Sequence, residues 1–159
     1  MNGLNMNLPW DRPEPFVAGF KALPEHIDEL RHVNNAVYVQ WMESCAWQHS
    51  NALGLGFDCF ARLDRSMAVL RHEIDYLASA LRDDEVLMGT WLVQTDSRLK
   101  MDRLFQLVRP ADGATLLRAR TTFVCVQLST GKPRRMPDEF VAGYGSAWRD
   151  CSGEHSGWK

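Results

Sequence analysis

The sequence predicts an α+β domain in which a curled, five-stranded antiparallel sheet wraps around one long central helix. Three observations carry this. An apolar stretch of period two opens near Phe16, a single run at helical period follows from Asn35 to Leu53, and four further period-two stretches fill the remainder. The connections between those stretches are short, so neighbouring strands are expected to be mostly antiparallel.

In "PFVAGFKAL", Phe16, Ala18 and Phe20 alternate with Val17, Gly19 and Lys21, the pattern of a half-buried strand. The period then changes. Tyr38, Trp41, Met42, Cys45, His49, Ala52 and Leu53 recur at steps of three and four, while Gln40, Glu43, Gln48 and Asn51 occupy the opposite positions. Asn34 is a good N-cap because its short side chain can accept from a free amide of the first turn, and Gly54 is a good stop. "LGFDCFARLDR" reads as a connecting loop. The next strand is expected to place Ala68, Leu70, Ile74 and Tyr76 on one face, and the one after it Leu87, Trp91 and Val93. In the following strand Leu99, Met101, Phe105 and Leu107 alternate with Arg98, Lys100, Asp102 and Gln106. "TLLRARTTFVCVQL" closes the sheet after an Asp112-Gly113 turn signal.

A lone helix with so many aromatic and apolar positions must bury its stripe, and the concave face of the curled sheet is the surface that can receive it. That is the hotdog arrangement. Its open edge strand invites pairing with another copy, so a homodimer or homotetramer is expected. Pro9, Pro13 and Pro15 mark residues 1–13 as an irregular arm, residues 14–145 form the domain, and the polar 146–159 reads as a flexible tail.

With 159 residues and a formal charge of -2, the chain has the length of one domain and no global attraction to nucleic acid or an anionic membrane. Cys45, Cys59, Cys125 and Cys151 form no C-x-x-C pair or regular framework, which points to a reducing, cytoplasmic setting. No apolar run is long enough for a membrane span, and no secretory leader is evident. "HEIDY" has Tyr76 where a zinc-binding H-E-x-x-H needs histidine, "GYGSA" is not a nucleophile elbow, and "GKP" is not a P-loop. No metal or cofactor is implied.

The segment "HIDELRHVNNAVYVQWMES", followed by "RHEIDYLASALRDDEV" and "LLRARTTFVCVQLSTGKPRRMP", resembles the hotdog-fold acyl-CoA thioesterases of the 4-hydroxybenzoyl-CoA thioesterase type, whose members often read D-x-D-x-x-G-H-V-N-N-x-x-Y here. The resemblance implies hydrolysis of an acyl thioester carried on coenzyme A or an acyl carrier protein. It puts Asp28 on the family's catalytic carboxylate and Asn35 at the helix N-terminus, where a backbone N-H meets the thioester oxygen, with His32 beside them. His26 and Arg31 stand where relatives commonly have Asp and Gly.

The chemistry agrees with that placement. Thioester hydrolysis builds negative charge on a carbonyl oxygen, and a helix N-terminus offers unpaired amides and the positive end of a dipole. A nearby carboxylate can activate water or attack directly. Glu43 falls on the polar side of the helix near a point where relatives often carry an acid, and His72 lies in an apolar strand row. Tyr38 is a core position and a candidate for the acyl site. Lys132, Arg134 and Arg135 of "GKPRR" are suited to the phosphates of coenzyme A. A hotdog dehydratase or hydratase using His26 or His32 with an acid, and a non-catalytic acyl-thioester binding module, are the alternatives.

Overall fold

A computed structural model of the chain describes residues 7–93 and 98–149. Strand β1 (Phe16–Lys21) leads through a single 3-10 turn at Pro24–His26 to helix α1 (Asn35–Ala52). There follow α2 (Phe57–Leu63), β2 (Arg65–Tyr76), β3 (Glu85–Val93), β4 (Lys100–Arg109), β5 (Ala114–Gln127), α3 (Asp138–Gly145) and β6 (Trp148–Arg149). The five long strands form one sheet in the order β1-β3-β4-β5-β2, antiparallel throughout, with the two-residue β6 added parallel to β3. β2 therefore sits at one edge of the sheet.

Helix α1 begins and ends where local chemistry says it should. The Asn34 carboxamide oxygen accepts from Ala36 N-H at 2.9 Å, and Gly54 takes a φ of +78°, a left-handed value that L side chains disfavour. Val37, Tyr38, Trp41, Met42, Cys45 and His49 are buried against the sheet, whereas Ala52, expected on that face, is exposed at the helix end. Burying each of the larger apolar side chains contributes about 1.5–3 kcal/mol, so this stripe dominates the docking of α1. Its partners include Ala18, Met88, Phe105, Leu107, Leu117 and Ala119.

Two readings of the strands change. In β2 the register slips between Val69 and Arg71, where Leu70 is an additional residue. Because strand side chains alternate, the bulge moves the inward face: Ile74, His72 and Tyr76 share it with Val69 and Met67, which pair with Phe123 and Cys125 of β5, and Ala68 belongs to the other face. β4 is buried on both sides rather than half-buried. Residues of the N-terminal arm cover its outer face. Asp11 N-H donates to Gln106 Oε1 at 2.8 Å, the Trp91 indole donates to Pro13 O at 2.9 Å, and Trp10 stands edge-on to Trp91.

"LGFDCFARLDR" is not a loop but contains α2, and α3 follows the basic segment. Phe60 of α2 packs on Phe140 of α3, and with Leu55, Met136 and Tyr144 they form a second core cluster, which meets the C-terminal half of α1 through Trp47 and Ser50. Arg62 and Glu139 tie the two helices at 2.6 Å. The tail expected from residue 146 starts with β6; residues 150–159, including Cys151, and residues 1–6 of the arm lie outside the described residues.

Asn34→Ala is expected to cost about 1 kcal/mol of stability through the lost cap. A lower urea midpoint, with faster amide exchange confined to the first turn of α1, is the expected result, and an unchanged midpoint would show that the cap contributes nothing.

Candidate active site

The helix N-terminus is presented by a tight hairpin in which Ile27 bridges to Val33. Asp28 and Asn35 thus each lie within two residues of one bridge. Asp28 N-H donates to His32 O at 2.9 Å, and the Asp28 carboxylate accepts from Leu30 N-H through Oδ1 at 2.9 Å. Arg31 takes a φ of +63°, the left-handed conformation that glycine adopts freely and a bulky residue only at a cost of roughly 1 kcal/mol or more. The loop accommodates Arg31 in the conformation a glycine would favour. His26 does not orient Asp28: its Nδ1 accepts from Leu23 N-H at 3.0 Å, and its ring stands edge-on to Trp41. His32 and Asn35 are exposed, and among the described residues the Asn35 N-H has no acceptor.

Tyr38 is brought to this end of the molecule but not to an open surface. It is buried, and its hydroxyl accepts from Ala80 N-H at 2.9 Å, so it anchors the β2–β3 connection over the start of α1. This agrees with the expectation of Tyr38 as a core position, and Tyr38 is not among the residues that line the cavity beside the second half of α1.

A cavity of about 320 Å³ opens between the second half of α1 and the β2 side of the sheet. Its walls are mainly apolar, with Met42, Ala46, Phe105 and Phe123 among them, and Val69 of the edge strand forms part of its border. Glu43 of α1 and His72 of β2 also line it. His72 Nδ1 lies 2.7 Å from Thr121 Oγ1, and burial lowers its pKa against the opposing pull of Glu43. Asp28, His32 and Asn35 are not among the residues lining this cavity.

The basic segment lies at the other end of β2. Gln127, which pairs with Arg65, donates its N-H to Lys132 O at 2.8 Å, and Arg134 N-H donates to Cys125 O at 3.0 Å, so the segment folds back along the end of β5. Lys132, Arg134 and Arg135 are exposed. Tyr76, by contrast, donates its hydroxyl to Asn35 O at 3.3 Å. The twelve residues of β2 separate these two ends by on the order of 35 Å at about 3.3 Å per residue. One chain therefore does not bring Asp28 and Asn35 together with Lys132, Arg134 and Arg135.

Arg103 escaped the sequence reading, although period two puts it in the same row as Met101, Phe105 and Leu107. It is 1% exposed and lines the cavity. Its Nη1 lies 2.8 Å from His49 Nδ1, and its Nε has no hydrogen-bond partner. The signal that would have found it is a charged residue on the apolar face of a strand. Burial and the Arg103 charge hold His49 down to about 3, so its imidazole is neutral and accepts from the guanidinium. Among the described residues no three His, Cys, Asp or Glu side chains gather as a metal site.

An unfolded imidazole titrates near 6.5. Between that value and about 3 the unfolded chain binds a proton that folded His49 refuses, so the stability from neutral His49 is complete above the unfolded pKa and is lost as pH falls toward the folded one. His49→Gln keeps an acceptor for Arg103 without the titration. Its urea midpoint is expected to fall less steeply across that acid window, by up to about 1.4 kcal/mol per pH unit. Parallel curves for the two proteins would contradict the assignment.

Residues 22–143 match the family model of the thioesterase-like superfamily. The long-chain acyl-CoA thioesterase FadM of Escherichia coli (strain K12) is 26% identical over 117 residues, covering 72% of this chain and 85% of FadM. Among solved structures, the 1,4-dihydroxy-2-naphthoyl-CoA thioesterase Slr0204 of Synechocystis superposes with a TM-score of 0.74 at 17% identity, covering 83% of this chain and 96% of that one. SAV2348 from Staphylococcus aureus, solved in complex with CoA, gives a TM-score of 0.76 at 16% identity, covering 86% of this chain and 87% of that one. The sheet-wrapped helix and the motif at its N-terminus thus agree with the family match: the chain belongs to the thioesterase-like superfamily and is a thioesterase of hotdog fold.

Proposed function

We propose that this thioesterase hydrolyses acyl-CoA in the cytoplasm as a homodimer whose two active sites are each assembled from both copies. The observation that carries this reading is that Asp28 and the first N-H of α1, which has no acceptor among the described residues, flank the one Ile27–Val33 bridge. Asn35 N-H donates to the thioester oxygen on which negative charge develops. One such donor in a water-poor site is worth about 3–4 kcal/mol in the transition state. Asp28 activates water or attacks the carbonyl itself, and His32 flanks the reacting group. Hydrolysis releases the free acid and the coenzyme A thiol. Cys45, Cys59 and Cys125, all buried and unpaired, support a reducing compartment.

The dimer reading rests on the edge strand. β2 presents Val69, Leu70 and Tyr76 at 51%, 55% and 44% exposure, beside Leu77 at 50%, a row of apolar side chains next to unpaired backbone groups. Pairing β2 with its symmetry mate antiparallel joins the sheets and buries this row. It also brings the Tyr76 end of one copy beside the Arg65 end of the other. The helix N-terminus with Asp28 and Asn35 then meets the partner's cavity, and Lys132, Arg134 and Arg135 of that partner reach the coenzyme A phosphates as charge-assisted donors.

Thiol release from short, medium, long and aromatic acyl-CoAs, with acyl carrier protein thioesters as comparison, tests the activity. Asp28→Asn is expected to lower kcat at least about 10²-fold with the fold intact; full turnover in Asp28→Asn, or its loss in Glu43→Gln alone, would overturn the assigned carboxylate. Mixing inactive Asp28→Asn with a triple Lys132, Arg134 and Arg135 alanine variant tests the shared site. Random dimer exchange should restore about a quarter of the wild-type sites. No recovery from an exchanging mixture would place each site within one copy.

A further inference from the structure

The lining of the cavity includes a cation, Arg103, that no described residue neutralises. Arg103 is buried there, and among the described residues no carboxylate pairs with it. The groups nearest it are uncharged near neutral pH: His49 is held down to about 3, the Cys45 thiol is pushed up to about 12 by burial, and burial raises the Tyr144 phenol. Glu43, the carboxylate among the cavity's lining residues, acts on His72. Tyr144 and Ser50 hydroxyls bond to each other at 3.1 Å and also line the cavity. Desolvation lowers Arg103 only to about 10, so the guanidinium remains a cation. Burying a cation without a counter-charge is unfavourable, and the burden falls when an anion with matching geometry arrives.

We propose that Arg103 seats a carboxylate at the far end of the acyl group, so that the preferred substrates are acyl thioesters capped by a second carboxyl. This rests on the thioesterase reading above and adds the chemical class of the acyl chain. The apolar walls formed by Met42, Ala46, Phe105 and Phe123 receive the methylenes, and the guanidinium fork meets the terminal carboxylate. A volume of about 320 Å³ lies at the small end of the ~300–1,000 Å³ range of ligand pockets, which suits a short chain. A neutral methyl terminus of equal length would leave the guanidinium donors not engaged by His49 desolvated and unpaired, and a buried polar site discriminates strongly against a ligand that cannot pair with it.

Two measurements test this. Thiol release is compared for adipyl-CoA, its mono-methyl ester and hexanoyl-CoA, in wild type and Arg103→Met. Wild type should favour adipyl-CoA by at least about tenfold in kcat/KM, and Arg103→Met should bring that ratio to one or below. A wild-type ratio of one or less, or an unchanged ratio in Arg103→Met, overturns the proposal. Calorimetric titration with free adipate, mono-methyl adipate and hexanoate needs no turnover. Tighter binding of adipate by wild type supports the subsite even if no thioester is cleaved, in which case the thioesterase reading is what fails. Equal or weaker binding of adipate overturns the subsite. Should Arg103→Met not fold, the wild-type comparison of adipate with its methyl ester decides the matter.

Discussion

The burial of one face of α1 in the concave side of the sheet is the constraint from which the rest of the molecule follows. Trp41, Met42 and Cys45 can leave water only if the sheet curls around them, and the curl sets which strand residues converge beneath the helix. The same docking fixes both ends of α1 in space. Its N-terminus is held by the Ile27–Val33 hairpin and by Tyr38, whose hydroxyl takes an amide from the loop crossing above. Its second half roofs the cavity.

That geometry separates binding and chemistry within one chain. The carboxylate and the open amide stand at the Tyr76 end of β2, while the cavity and the basic segment lie toward the Arg65 end. An edge strand with exposed Val69 and Leu70 gives a physical reason for a second copy, and antiparallel symmetry reunites the separated parts. The bulge at Leu70 contributes here as well. By turning Val69 and Met67 to the inner face, it shapes the cavity border.

The interior tolerates polarity only where it is arranged. Gln106 and Thr115 bond beneath the N-terminal arm, and Asp102 is paired with Arg120. Arg103 differs from these because its neighbours are neutral and its Nε is unpartnered. A fold that keeps such a group retains a cost that packing alone could have removed, since apolar replacements of buried charges are often stabilising.

Local rules determined much of this protein in advance. Asn34 and Gly54 mark the limits of α1 because capping and left-handed backbone depend on neighbours in sequence, and the five long strands were legible because a sheet with one face on a core imposes period two. The hairpin carrying Asp28 was likewise written in a contiguous motif. What needed the tertiary structure were features made by residues far apart. α2 and α3 are short and stabilise each other through Phe60 and Phe140, so neither has a long enough period to announce itself. The slip in β2 depends on its pairing with β5 and inverts the faces read from simple alternation. Tyr38 was legible as a core position but its bond to Ala80 was not, and Arg103 drew no reading although it shares the apolar row of Met101, Phe105 and Leu107. Periodicity reports which residues share a face; only packing decides whether that face meets water, a partner side chain or a cavity.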